Sequence, residues 1–204
     1  MECRRIKLAA RLFLLAMLML TPFISAGCTT NRATVYLKSM NDSSRILSPH
    51  WKVVAARITD TNNVDIFMSD RALNELEKTD FSKINKDIEI CHVRMFIAPR
   101  AGHTPIQSTA CNTIINFIIL TPGAAGEYSG AGFMIPELSS DYRHFRGSLI
   151  DGRTNLIRKT GTFQDLLGTG SPEGTIEAVN DPAMVRRFEL VMEKLRYKIF
   201  PEKD

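Results

Sequence analysis

The chain has 204 residues, of which 44% are hydrophobic and 24% are charged, so it has room for one globular domain and is too apolar for a disordered chain. Its formal net charge is +4, but four basic residues and one acidic residue lie within residues 1–27, and the remainder carries 22 basic and 21 acidic residues. A nearly neutral body lacks the basic surface that binds phosphates, which argues against nucleic acid as a partner.

The N-terminus has the order of a secretory signal peptide. The positive charges end at Arg11, an uninterrupted apolar run follows over Leu12–Leu20, and the helix-breaking Pro22 precedes several small residues. A charged region, an apolar region and a small-residue region in this order are typical of an export signal. The sequence therefore predicts a signal peptide over residues 1–27.

The signal peptide ends at a cysteine. The segment Ile24–Cys28, Ile-Ser-Ala-Gly-Cys, resembles the lipobox of bacterial lipoproteins, although Ser25 stands where that family prefers Leu. The resemblance implies that Cys28 is acylated on sulfur and becomes the new N-terminus. Two or three acyl chains would then hold the protein on a lipid bilayer. Thr29 stands where Asp is the usual inner-membrane retention signal, which implies the outer membrane, facing the periplasm, in an organism with two membranes.

Two other interpretations of the N-terminus stay open. The segment could be an uncleaved membrane anchor, because no charge occurs between Leu12 and Asn31. Its strongly apolar part, however, is about half of the roughly 20 residues that a spanning helix needs. Ordinary secretion with cleavage near Ala26 would instead leave a soluble protein with a free thiol at Cys28.

The mature chain divides into two parts. Residues 28–50 are predicted to form the lipidated N-terminus with a tether or first strand, and residues 51–204 a single globular domain. Runs rich in β-branched and apolar residues predict eight strands: Lys52–Thr59, Val64–Met68, Asp87–Ile97, Ile106–Leu120, Tyr128–Ile135, Phe145–Ile150, Asn155–Lys159 and Thr175–Val179.

The positions of several glycines predict local features of these strands. Gly130 and Gly132 lie inside a predicted strand, where such residues indicate a bulge or a close approach of the backbone. The pair Asp151-Gly152 predicts a type I′ turn between two neighbouring strands.

A short helix is predicted before the third strand. It begins at Ser69 or Asp70, both good capping residues, and continues to about Lys78 with Leu73 and Leu76 buried.

The C-terminal helix has the clearest pattern. Asp181 is its predicted cap and Pro182 its first residue. Apolar residues then recur at spacings of three and four along one face: Met184, Phe188, Val191, Leu195 and Ile199. The predicted fold class is α+β, a mostly antiparallel β-sheet with a short internal helix and a C-terminal amphipathic helix packed on the sheet.

Two cysteines, Cys91 and Cys111, remain once Cys3 is removed with the predicted signal peptide and Cys28 carries the lipid. If the hairpin loop is centred near Ala101, Cys91 lies directly opposite Cys111, within the distance that a disulfide spans. An oxidising compartment favours that bond, and we predict it. The alternative is two buried thiols that act as small hydrophobic residues. Catalysis by Cys91 with His92 is disfavoured because adjacent strand residues point to opposite faces.

No motif for catalysis, cofactor or metal binding is found. The four histidines show none of the usual metal-ligand spacings. The glycine-rich stretch 168–175 lacks the Lys of a phosphate-binding loop, and 60–71 lacks the Gly and Glu of a calcium loop. The sequence therefore predicts no catalytic residue, no metal ligand and no cofactor.

Two functions are consistent with these features. The first is a non-catalytic, membrane-anchored envelope lipoprotein that binds another envelope protein, with the glycine-rich loops Gly123–Gly132 and Gly168–Gly174 as its binding edge. The alternative is a periplasmic enzyme, or a small-ligand or metal-binding module, that uses His92, His103 and nearby carboxylates. A deep pocket with converging histidine and carboxylate groups would favour the alternative, and an apolar groove would favour the first.

Overall fold

The computed structural model describes residues 31–99 and 111–200. The predicted signal peptide, Cys28 and His103 lie outside the described residues. Within them the chain forms strands and two helices in this order: β1 Arg32–Ala33, β2 Tyr36–Ser39, β3 Ile46–Leu47, β4 Val53–Ile58, β5 Val64–Ser69, α1 Leu73–Lys78, β6 Ile88–Met95, β7 Thr113–Thr121, β8 Ala124–Leu138, β9 His144–Thr160, β10 Gly170–Val179 and α2 Pro182–Ile199.

The strands form one antiparallel sheet in the order β3-β2-β10-β9-β8-β7-β6-β5-β4, and β1 also pairs with β10. The segment predicted as a tether or first strand thus supplies β1, β2 and β3. Beyond β10, the side chain of Asn180 accepts a hydrogen bond from the backbone of Ile58, and Asp181 N donates to Ala56 O at 2.7 Å. These contacts join β4 to the end of β10, so the sheet curls into a half-barrel. The coarse α+β prediction, a mostly antiparallel sheet with two helices, one of them short, is confirmed.

The alternation of side chains separates two apolar clusters. The first, the inner core, contains residues from eight strands and includes Trp51, Phe117 and Tyr128. The second, the outer core, includes Phe67 of β5 and Phe188 of α2 together with residues of α1. Neighbouring positions of one strand enter different clusters because successive side chains point to opposite faces of a sheet.

The C-terminal helix begins as predicted. Pro182 is its first residue, and the side chain of Asp181 accepts a hydrogen bond from Met184 N at 2.8 Å. The ring of Phe188 stacks on that of Phe67 with centroids 5.5 Å apart. The buried residues of α2 are Val185, Phe188, Val191, Met192 and Leu195.

The short helix α1 has a different start from the predicted one. Its cap position is Ala72, without a side-chain hydrogen bond, although Leu73 and Leu76 are buried as expected. The two predicted caps bond elsewhere, since Asp70 accepts from Glu89 N at 2.9 Å and Ser69 accepts from Arg71 N at 3.0 Å. The prediction of a cap at Ser69 or Asp70 is therefore wrong.

Of the two predictions based on glycines, one is wrong and one is confirmed. The predicted turn at Asp151-Gly152 is wrong, because β9 continues through both residues. Asp151 has a φ of 50°, and the two residues lie opposite Gly132 of β8, which makes them a bulge within the strand. The predicted close approach is confirmed, since a side chain at Gly130 would collide with the carbonyl oxygen of Arg153.

The predicted disulfide is wrong. Cys91 lies opposite Phe117 in the β6–β7 pair, and Cys91 and Cys111 are both free thiols, the first buried and the second exposed. Paired residues of β6 and β7 have numbers that sum to 208, so the hairpin is centred on position 104 rather than near Ala101. Cys111 therefore precedes the β7 ladder, which begins at Thr113, and has no place opposite Cys91.

Candidate functional site

An apolar groove opens between β3, the turn that joins β7 to β8, and the segment 162–167. Its volume is about 690 Å³. Its apolar lining includes Ile46, Leu47, Ile119, Phe163, Leu166 and Leu167. Such a groove has the size and the lining of a site for a single small molecule.

The groove connects solvent with the inner core. Ile46 and Leu166 stand exposed at its rim, and Leu166 is 58% exposed. Leu47, Ile119 and Phe163 are partly buried and pack against the inner core. The groove is therefore an apolar path from an exposed rim to the interior of the sheet.

One polar pair adjoins the groove: Tyr128 is part of its lining, and Asp165 is an exposed residue of the segment 162–167. The hydroxyl of Tyr128 donates a hydrogen bond to Asp165 at 2.7 Å, and the same carboxylate oxygen accepts from Gly168 N at 2.9 Å. Burial, followed by the bond to Asp165, raises the pKa of Tyr128. The phenol is thus held protonated as a donor, and the pair orders the segment 165–168.

Arg45 is the charged residue in the groove lining. Its Nη1 donates to the carbonyl oxygen of Leu166 at 2.9 Å, and its Nε lies 3.0 Å from a carboxylate oxygen of Asp42. These two contacts hold the guanidinium at the rim of the groove, between the β2–β3 turn and the segment 162–167.

The local sequence explains the shape of the groove. The hydroxyl of Ser39 donates to Leu167 O at 2.6 Å, which fixes the segment against the end of β2. Gly126 leaves space for the ring of Phe163, because a side chain there would collide with that ring. Glycine is therefore required where the aromatic ring lies against β8.

The predicted glycine-rich binding edge is only partly formed by loops. Most of Gly123–Gly132 belongs to β8, and 170–174 belongs to β10, so the prediction of two adaptable loops is wrong. The groove-lining segment 162–167 was not predicted as a site. Its Phe-Gln-Asp-Leu-Leu sequence at 163–167 is the local signal, since three large apolar residues lie between two strands.

The histidine and carboxylate of the alternative function lie on the other face of the sheet. Nε2 of His92 is 3.3 Å from Oδ1 of Asp65, whose other oxygen is 2.7 Å from Nη2 of Arg57. The imidazole also stacks on Phe67, with ring centroids 4.2 Å apart. Arg57 contacts Glu189 of α2 at 2.8 Å as well.

Opposing effects act on the pKa of Asp65. Burial would raise it, but hydrogen bonds from His92 and Arg57 outweigh that effect and lower the pKa to about 2. The carboxylate is therefore ionised and bound within a network that joins β4, β5 and β6 and extends through Arg57 to α2. His92 and Asp65 belong to this network and not to the groove.

Within residues 31–99 and 111–200, no group of three or more His, Cys, Asp or Glu side chains is arranged to hold a metal ion. In the same residues, no helix has both the length and the apolar composition needed to cross a bilayer. Comparison with known proteins finds no matching family model, no matching curated protein and no matching solved structure.

Proposed function

We propose that the protein is a lipid-anchored protein of the bacterial cell envelope that binds another envelope component in its apolar groove. The groove carries this proposal because its rim exposes large aliphatic side chains while its walls lead to the inner core. Exposed apolar surface around a groove is typical of a binding site.

The position of Cys28 in the chain determines which part of the sheet the proposed anchor would hold near the membrane. Cys28 precedes Asn31 by three residues, which span at most about 10 Å. The side chain of Asn31 accepts a hydrogen bond from Val179 N at 2.8 Å, and Arg32 pairs with Glu177. Acylation of Cys28 would therefore hold this end of β10 beside the bilayer, on the periplasmic side of an outer membrane.

The groove lies toward the opposite end of β10. Leu167 lines the groove and Gly170 begins β10, whereas Glu177 pairs with β1 near the proposed anchor. Glu177 lies seven positions after Gly170 in the strand, a distance of roughly 20 Å. The groove would therefore lie away from the bilayer and open to the periplasm.

The groove favours binding over catalysis. Its polar pair, Tyr128 with Asp165, is internally hydrogen-bonded, and Arg45 is held by Asp42. The contact between His92 and Asp65 is the observation that favours a periplasmic enzyme or small-ligand module instead. Both residues bond within the network on the outer face, which supports a structural role.

Acylation is tested by growing cells with an alkyne-bearing fatty acid and tagging the full-length protein. We expect label on wild type and on Cys111→Ser, and none on Cys28→Ser. The labelled proteins should need detergent for release from membranes. Retention of residues 1–27, or absence of label from wild type, would overturn the anchor.

Binding in the groove is tested by placing a photo-crosslinking amino acid at Leu166, with Leu190 of α2 as the control. The two side chains are 58% and 50% exposed, so they differ in location more than in accessibility. We expect a defined adduct from position 166 in intact cells and none from position 190. Equal reaction at both positions, or none at 166, would contradict the proposal.

A further inference from the structure

We infer that the groove binds a single-chain anionic amphiphile of the fatty-acid class, with its aliphatic chain inward and its carboxylate beside Arg45. This inference rests on the proposed function, in which the groove binds an envelope component, and it names the chemical class of that component.

The interior of the groove fits an aliphatic chain. Ile46 and Leu166 are exposed at the rim, and Leu47, Ile119 and Phe163 are partly buried and pack against the inner core. Each methylene that leaves water for such a site adds favourable binding free energy in proportion to the apolar area that is buried. A volume of about 690 Å³ lies within the range of sites that enclose one small ligand.

The hydroxyl of Tyr128 in the groove lining needs no hydrogen bond from a ligand. The phenol of Tyr128 donates to Asp165, and that carboxylate also accepts from Gly168 N. Because the buried hydroxyl is already satisfied, a methyl end can lie against it without leaving a donor unpaired. The polar end of the ligand therefore belongs at the rim.

The rim supplies the complementary charge. The guanidinium of Arg45 is half exposed and is fixed by its contacts with Leu166 O and Asp42. A guanidinium has five N–H donors, so two such contacts leave donors for a ligand carboxylate. Charge-assisted bonds of this kind are about twice as strong as neutral ones, which favours an acid over an alcohol of the same length.

An extended peptide is a poorer occupant. A peptide that bound in the groove by strand addition would pair with β3, the edge strand that borders the groove. That strand has two residues, Ile46–Leu47, and offers few main-chain bonds. Burial of an aliphatic chain does not need such an edge.

The test uses the full-length protein in membranes and a fatty acid with a diazirine at its methyl end. After illumination and digestion, mass spectrometry should find label on peptides that contain 119–128 or 162–167. The matching fatty alcohol should label them several-fold less. Arg45→Gln should remove this difference between acid and alcohol.

A matched pair of variants separates the groove from the bilayer background. Leu166→Glu should reduce groove labelling several-fold, and Leu190→Glu should leave it unchanged. Both replace an exposed leucine, and their melting curves should match that of wild type. The inference would be overturned if Leu166→Glu left groove labelling unchanged, or if the acid and the alcohol labelled the groove of wild type equally.

The outcomes also separate this inference from the proposed function. If the crosslinker at Leu166 captures a polypeptide and the fatty acid leaves the groove unlabelled, the fatty-acid assignment is wrong while binding in the groove stands. If the crosslinker forms no adduct and the fatty acid does not label the groove, both proposals are wrong.

Discussion

Glu127 of β8 accepts a hydrogen bond from Nη2 of Arg196 in α2 at 2.9 Å, and its other carboxylate oxygen lies 3.0 Å from Nε of Arg158 in β9. The Glu127 side chain is 1% exposed, whereas both arginines are partly exposed. A carboxylate removed from water requires such partners. The last turns of α2 are therefore joined to two strands through one buried charge.

Removal of both arginines should be costly. Arg158→Gln with Arg196→Gln leaves Glu127 buried without a cation, and we expect unfolding free energy to fall by about 3–5 kcal/mol. Urea denaturation monitored by the fluorescence of Trp51, the single tryptophan, measures this loss.

Addition of Glu127→Gln to that double variant should recover a large part of the lost stability, because no charge then stays buried. Arg186→Gln, which removes a highly exposed arginine of α2, is the control and should cost less than about 1 kcal/mol. A triple variant as unstable as the double variant would show that lost packing, rather than the unpaired carboxylate, is responsible.

Asp65 should give stability that depends on pH. Its pKa is about 2 in the folded protein against an ordinary value of 3.8, so its ionised form stabilises the fold. This contribution is complete above about pH 4 and is lost as pH falls toward 2. We expect Asp65→Asn to cost at most about 2 kcal/mol at pH 6.

The same comparison is then made across a pH series of urea titrations. The difference between wild type and Asp65→Asn should shrink between pH 4 and pH 2. Glu193→Gln, at an exposed position of α2, serves as the control variant. A cost for Asp65→Asn that stays constant from pH 6 to pH 2 would contradict the role assigned to its charge.

The two cysteines should react separately. Cys111 is exposed and Cys91 is fully buried, and burial raises the pKa of the Cys91 thiol well above its usual range. Because the thiolate is the reactive form, iodoacetamide should modify Cys111 in the folded protein and Cys91 only after denaturation. Peptide mass spectrometry without reductant measures both. A pair that stays unmodified in denaturant until reductant is added would contradict the free thiols.

Gly130 should tolerate no side chain. A methyl group there meets the backbone carbonyl of Arg153, so β8 and β9 would have to separate, and Gly130→Ala should cost about 1–3 kcal/mol. Gly123 is the control, because its φ of 77° suits Asn and no atom lies near its missing side chain. Gly123→Asn should melt within a few degrees of wild type. Equal melting of the two variants would contradict the close approach at Gly130.

Local patterns predicted much of the secondary structure. The cap at Asp181 and the buried Phe188 and Val191 follow from the chemistry and spacing of neighbouring residues, and the structure has them. The strand β4 was predicted to within one residue at each end for the same reason. Such features depend on residues only a few positions apart.

Features set by distant partners were not predicted. Asp151-Gly152 has turn chemistry, but pairing of β9 with β8 and β10 carries the strand through it as a bulge. The β6–β7 register depends on Asn112, whose side chain donates to Ile97 O and accepts from Met134 N. The predicted register came from counting the residues of the hairpin loop, and such a count does not show that Asn112 bonds to Ile97 and Met134.

The groove also depends on distant contacts. Ile46 and Leu166 are separated by 120 positions, and no spacing rule connects them. They line one groove because β2 pairs with β10, which brings the β2–β3 hairpin beside the segment before β10. The sequence indicated an apolar binding surface as one of two options, but it could not locate that surface.

The pairing of β1 and β2 with β10 has a consequence for biosynthesis. Residues 32–39 join the rest of the sheet only through residues 170–177, because β2 otherwise pairs only with the two-residue strand β3, so the first strands to leave the ribosome are among the last to join the sheet. Closing so long a loop is slow compared with forming local hairpins. A chain truncated before Gly170 would keep its β4–β9 meander, but β1 and the β2–β3 pair would lose the strand that joins them to it, which would expose unpaired edges to aggregation.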